Sequence, residues 1–156
     1  MNEPQLFTLD VDVDNQDDLY EEVYAFLRDA GMVRETFLEA VRGREEKYPT
    51  GLDFGYVAIA IPHIDSEHVK LPGVLICRNS KSTEFRAMDD PEHVLDVCLS
   101  IWPLVTDPEN QVGMLGAVIE LVQDESSYRQ LLKGSAGELA ETLSGVLEAV
   151  GDGDGV

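Results

Sequence analysis

An α/β chain folded as a three-layer α/β/α sandwich around a mixed β-sheet is the fold class this sequence predicts, on three observations. Its segments run strand, helix, helix, several strands, then helices, which fits neither a regular βαβ repeat nor a run of hairpins. Residues 96–105 are apolar on both faces (Val97, Cys98, Leu99, Ile101, Trp102, Leu104, Val105), as a central strand covered from two sides must be. The helical segments before and after it each carry one apolar stripe, so the sheet is predicted to be covered on both faces. A chain of 156 residues suits one domain, predicted over residues 1–150 with a flexible tail over 151–156. A domain of that size buries roughly 70% of the surface its unfolded form exposes and needs no staples.

Period-two alternation over residues 5–13, with Phe7, Leu9, Val11 and Val13 on one side, predicts a half-buried edge strand. Asn15 opens a helix whose stripe is Leu19, Val23, Phe26, Leu27 and Ala30. Asp17 and Asp18 suit its positive end, and Gly31 stops it. A second helix over residues 34–47 buries Phe37, Leu38 and Val41, and finishes before the turn Tyr48-Pro49-Thr50-Gly51. Residues 57–61 form the next strand. Residues 73–78 and 82–88 read as a hairpin turning through Asn79, Ser80 and Lys81. Asp89-Asp90-Pro91 breaks the pattern, and Pro103 cuts the far end of the central strand. Asp107 and Pro108 then start a helix with the stripe Val112, Leu115, Ile119 and Val122. Ser126 or Ser127 opens a short helix running to Gly134. Ser135-Ala136-Gly137-Glu138 has the spacing of a capping box, ahead of a last amphipathic face made by Leu139, Leu143, Val146, Leu147 and Val150.

Thirty-one acidic residues stand against eleven basic ones, a formal net charge of -20 spread along the chain. Such a field repels nucleic acid and anionic membrane, so neither is expected as a partner. The basic residues are seven arginines and four lysines, and dispersed acid with few lysines points to a halophilic protein, in which salt screens the self-repulsion. Disorder is the competing reading, against which stand 44% hydrophobic residues in periodic segments. Met1-Asn2-Glu3-Pro4 lacks the basic region of a signal peptide, and no apolar run approaches the roughly 18 residues of a membrane helix. Cys77 and Cys98 lie inside apolar runs and read as small buried thiols, consistent with a reducing cytoplasm.

Chemistry concentrates in Ala58-Ile59-Ala60-Ile61-Pro62-His63-Ile64-Asp65-Ser66-Glu67-His68, which holds two of the three histidines. Pro62 donates no ladder hydrogen bond and holds Ile61 extended, so the strand ends there with His63 at the sheet's rim. A neutral imidazole at that point offers one nucleophilic nitrogen while a carbonyl or carboxylate holds the other. A single histidine after a proline is more often structural, and local features alone leave both readings open. His63, Asp65, Glu67 and His68 could also combine as zinc or manganese ligands, but their spacing matches no established metal motif, so no metal or cofactor is expected. His93, in a charged loop, reads as a solvated surface residue. Arg44, at a helix carboxyl end, reads as an ordinary ion-pair partner unless the loop after it brings it beside His63.

Arg44-Glu45-Glu46-Lys47-Tyr48-Pro49-Thr50-Gly51, then Ala58-Ile59-Ala60-Ile61-Pro62-His63, then Asp65-Ser66-Glu67-His68-Val69-Lys70, resembles the fructose/mannitol type (type 2) of enzyme IIA domain of the bacterial sugar phosphotransferase system, with the galactitol branch nearest. The motif covers residues 44 to about 105, and the flanking helices agree in order and length. The resemblance implies a mannitol-IIA-like fold and a histidine phosphorylated by the phosphocarrier HPr, which passes the group to an enzyme IIB component. His63 matches that histidine, and Arg44 matches an arginine near it. Mannitol-type members bring a second histidine from a segment that here reads Thr106-Asp107-Pro108-Glu109-Asn110-Gln111, so His68 becomes the candidate second site histidine. Transfer between two carriers needs an oriented nucleophile and donors on the equatorial oxygens, and the scheme requires no magnesium. Ile64, Phe54 and Tyr56 are candidates for a small docking patch, with core or loop packing as the other reading. Three competing functions remain: a regulatory module of the same fold phosphorylated as a signal, a binding domain of that fold without catalysis, and a metal-dependent hydrolase.

Overall fold

The computed structural model describes residues 3–151. In chain order its elements are β1 (Gln5–Val11), α1 (Gln16–Asp29), α2 (Phe37–Lys47), β2 (Gly51–Asp53), β3 (Ala58–Ala60), β4 (Gly73–Arg86), β5 (Val94–Leu104), α3 (Gln111–Val122), α4 (Glu125–Leu131), α5 (Ala136–Leu139) and α6 (Ser144–Val150). Single 3-10 turns occupy Ser66–His68 and Pro108–Asn110. The strands lie in the order β1-β4-β5-β3-β2. β1 is parallel to β4 and β3 to β5, whereas β4 with β5 and β2 with β3 are antiparallel, so the sheet is mixed, with β5 at its centre.

Two cores arise from the alternation of side chains along the central strands. Val74 and Ile76 of β4, with Leu99 and Ile101 of β5, pack against Met114, Val118, Val146 and Val150 of α3 and α6. Leu75 and Cys77, with Trp102 and Leu104, pack on the opposite face against Leu19, Val23, Leu27, Phe37 and Val41 of α1 and α2. Each large apolar side chain buried in this way contributes about 1.5–3 kcal/mol. Trp102 is the hub of the second core, with Tyr20 edge-on at 6.0 Å and Phe37 at 6.4 Å between ring centres. Its indole N–H donates to Ser100 Oγ at 2.8 Å, so the ring buries without an orphan donor.

Several local expectations are overturned. Residues 73–88 do not form a hairpin, because β4 runs unbroken to Arg86 and pairs with β5 on both sides of a register shift between Arg78 and Thr83. Asn79 explains why a turn-like sequence stays in the strand. Its buried side chain accepts the Val13 N–H at 3.1 Å and donates to the Val13 carbonyl at 3.0 Å, tying the bulge to the segment two residues beyond β1. Cys98 is exposed, not buried, because the first half of β5 alternates exposed and buried residues in the ribbon it makes with β4. Pro103 does not end β5; it faces Val74 within the strand pair. On α3 the predicted stripe holds in part: Val122 is buried, together with Met114 and Val118, Leu115 and Ile119 are half-buried at the edge of that face, and Val112 is 84% exposed.

The second helix begins at Phe37 rather than residue 34, and the short one at Glu125, beside Asp124. The last amphipathic segment is two helices, α5 with its capping box at Ser135 and α6 after Leu143. Gly151 is buried, its carbonyl accepting from Asn110 Nδ2 at 2.6 Å, whereas the rest of the predicted tail, 152–156, lies outside the described residues.

Asn79→Ala leaves the amide and carbonyl of Val13 without their partners, and is expected to lower stability by roughly 1–3 kcal/mol in urea unfolding. Ser82→Ala, at an exposed position in the same bulge, should lie within about 0.5 kcal/mol of the parent. Equal midpoints for the two variants would contradict this account of the bulge.

Candidate functional site at the rim of the sheet

β3 is only three residues long, and the turn of chain just beyond it positions the site. Ile61 N–H donates to the Thr50 carbonyl at 3.2 Å, extending the β2–β3 pairing one step beyond Gly51 and Ala60. Gly51 has no room for a side chain there, since a Cβ would stand 2.6 Å from the Arg86 carbonyl oxygen. Pro62 then ends the ladder. His63 is half-buried, and its Nδ1 lies 2.7 Å from the Ile61 carbonyl oxygen. A carbonyl can only accept, so Nδ1 carries the hydrogen, and in the neutral ring Nε2 keeps a free lone pair. Burial is the main influence on the ring and holds its pKa below the usual histidine value. The Ile61 carbonyl opposes this, the charge of Arg44 lowers the pKa further and that of Asp65 raises it.

Arg44 comes from the last turn of α2 and reaches the histidine loop, with Nη1 3.6 Å from Asp65 Oδ1. Its guanidinium lies 5.6 Å from the centre of the Tyr48 ring, and its buried Nε has no hydrogen-bond partner among the described residues. Arg44 thus reaches the loop that carries His63, near enough for its charge to act on the imidazole. His68 Nδ1 lies 2.8 Å from Thr36 Oγ1 and its Nε2 3.9 Å from the Glu67 carboxylate; among the described residues it makes no hydrogen bond to His63 or Arg44. His93 is exposed. Among the described residues, no three His, Cys, Asp or Glu side chains converge as metal ligands.

Three further residues join the site that the sequence did not single out. Glu45, beside Arg44, is 6% exposed; Oε2 accepts the Thr50 N–H at 2.8 Å and Oε1 the Thr50 hydroxyl at 2.9 Å. Burial pushes its pKa up to about 7, against the Thr50 hydrogen bonds and Arg44, which hold it down. Gln111, the first residue of α3, donates from Nε2 to the Ile64 carbonyl at 3.2 Å, in the segment where no second histidine occurs. The only signal for Glu45 and Thr50 was their place inside the Arg44–Gly51 motif. Of the expected docking patch, Ile64 is buried and Phe54 is half-buried against the core, while Tyr56 is exposed, its hydroxyl donating to the Val122 carbonyl and its ring edge-on to Tyr128. Tyr48 and Val112, 64% and 84% exposed, are the apolar side chains presented to solvent beside Arg44 and Gln111.

A mixed sheet with helices on both faces and a rim histidine held by one nitrogen defines an α/β domain equipped to present a nucleophile. Residues 1–145 match the family described as "Phosphoenolpyruvate-dependent sugar phosphotransferase system, EIIA 2", and the chain belongs to that family. It is 30% identical over 102 residues to the galactitol-specific EIIA component of Escherichia coli K12, a match covering 65% of this chain and 67% of the relative. Over 113 residues it is 26% identical to the fructose-like EIIA component of the same strain, covering 72% and 73%. The fold is shared with the Escherichia coli mannitol enzyme IIA solved in complex with phosphorylated enzyme IIB, at a TM-score of 0.66 and 23% identity, over 90% of this chain and 94% of that one. The chain is a phosphocarrier IIA component, and its role is that of a phosphotransferase in the general sense. No helix among the described residues is long and apolar enough to cross a membrane.

Because the folded pKa of Glu45 is raised from 4.5 to about 7, its contribution to stability is present below the unfolded value and lost as pH rises through 7. Between about pH 5 and pH 8, the parent is therefore expected to lose roughly 2–3 kcal/mol relative to Glu45→Gln in denaturant unfolding. A constant difference across that interval would contradict the raised pKa.

Proposed function

We propose that His63 accepts a phosphoryl group from phospho-HPr on Nε2 and passes it to an enzyme IIB component of a galactitol- or fructose-like sugar system in the cytoplasm, with residues 1–150 acting as a single IIA domain. The observation that carries this reading is the 2.7 Å bond between His63 Nδ1 and the Ile61 carbonyl, which leaves Nε2 as the nucleophilic nitrogen. The lone pair of Nε2 attacks phosphorus, the nitrogen–phosphorus bond of the donor breaks, and the donor ring keeps the electron pair. The proton on Nδ1 stays in place, so the phosphorylated ring carries a positive charge facing the Ile61 carbonyl and close to Asp65. Both transfers run in line, and neither requires a metal.

Arg44 is the charge-stabilising group. Its Nε–H, unpartnered among the described residues, and its guanidinium suit the equatorial oxygens of the transferring group, in a chain whose net charge of -20 otherwise opposes an incoming phosphate. His68, engaged with Thr36, shapes the 3-10 turn after the loop rather than touching phosphate. Tyr48 and Val112 supply exposed apolar contacts for transient docking.

The experiment is phosphoryl transfer from phosphoenolpyruvate through enzyme I and cognate HPr, read by intact mass. The parent is expected to gain one acid-labile phosphoryl group and His63→Ala none. Arg44→Ala should slow acceptance by about 10²-fold, whereas His68→Gln should stay within about threefold of the parent. Acceptance by folded His63→Ala would remove the assignment.

A further inference from the structure

Among the buried ionisable groups, Glu45 is one that the packing of the fold does not explain. An apolar or amide side chain would bury at the end of α2 without the desolvation that a carboxylate incurs. Both of its oxygens are engaged by one residue, Thr50, which is 2% exposed and comes after a proline that has no N–H of its own. The Thr50 carbonyl accepts the Ile61 N–H at 3.2 Å, and the Ile61 carbonyl accepts the His63 Nδ1–H at 2.7 Å. Glu45 is thus joined to the imidazole through Thr50 and Ile61 by consecutive hydrogen bonds.

The setting makes this chain of bonds consequential. β2 is a three-residue strand at the edge of the sheet, paired among the described strands with β3, and bridged on its other side only at Gly51, to Ala87. Its first residue, Gly51, is held from β4's end by the Met88 N–H at 2.7 Å, while the residue before it is held by Glu45. The N–H and C=O of Thr50 belong to different amide planes, as do those of Ile61, so the chain transmits position and carries no proton.

We propose that Glu45 is a positioning residue for His63: through Thr50 and Ile61 it fixes the carbonyl that keeps the imidazole in its Nδ1–H tautomer with Nε2 presented to phosphorus. A nucleophile in an in-line transfer must be held to about 0.5 Å, so loosening this end of β2 misplaces Nε2 without removing it. The consequence for phosphoryl transfer rests on His63 being the acceptor; the tautomer does not.

The test uses long-range ¹H–¹⁵N spectra of His63 near neutral pH in high salt, together with the initial rate of phosphoryl acceptance from phospho-HPr. The parent is expected to show Nδ1 protonated and Nε2 bare. Glu45→Gln can still accept from the Thr50 N–H and donate to its hydroxyl, so it should keep that tautomer and a rate within about threefold of the parent. Glu45→Ala loses both bonds and should populate both tautomers while slowing acceptance at least about tenfold. Thr50→Val removes only the hydroxyl leg and should give a measurable mixture of tautomers. It decides the matter if Glu45→Ala does not fold. A parent ring in the Nε2–H tautomer overturns the proposal, as does a folded Glu45→Ala, or in its place Thr50→Val, with the parent's tautomer and rate. If the parent accepts no phosphoryl group at all, the functional reading falls and the tautomer comparison alone decides the positioning role.

Discussion

Pro62 cannot carry the ladder of β3 onward, and two residues of chain fold back so that the His63 ring rests on the Ile61 carbonyl. That bond sets the tautomer, and the tautomer decides which nitrogen faces outward. The carbonyl must itself be stationary for this to hold. Its residue is joined to the edge of the sheet through Thr50, and β3 lies beside β5, whose Trp102 and Ile101 are buried in opposite cores. Much of the large architecture can therefore be viewed as a mount for one imidazole.

The use of charge obeys the same economy. The chain has few cations, and two of its seven arginines use the planar fork to hold several partners. Arg42 bonds Asp17, Glu21 and Glu39 at once, and Arg78 bonds Asp10 together with the carbonyl of Gly134. Arg44 differs from these two: its ion pair with Asp65 is loose, at 3.6 Å, and its buried Nε is unsatisfied among the described residues. A buried donor without a partner is costly in a folded protein, and an incoming phosphoryl oxygen would satisfy it.

The sheet and its two coverings were legible because their signals are long: an apolar strand at 96–105, and helices whose stripes repeat over three turns. Asn15, Ser135 and Asp107 were legible for a different reason, each bonding a backbone N–H within three residues. The features that could not be read depend on partners distant in sequence. The Asn79 bulge resembles a turn until Val13 is seen 66 residues away, and α3 buries Met114 and Val118 beside only part of its predicted stripe. At the site, His63 and Arg44 stood out by residue type and motif, and the loop that joins them could be seen only in three dimensions. Glu45 looked like one more surface acid among 31 acidic residues; its burial arises from the return of Thr50 beneath the helix end.

The most direct test of this account is the identity of the phosphorylated nitrogen, read from ³¹P–¹⁵N coupling in the ¹⁵N-histidine-labelled, phosphorylated protein. Phosphorus coupled to Nε2 of His63, with Nδ1 still protonated, is the predicted result. Phosphorus on Nδ1, or on any residue other than His63, would show that the Ile61 carbonyl does not orient the nucleophile and would contradict the account.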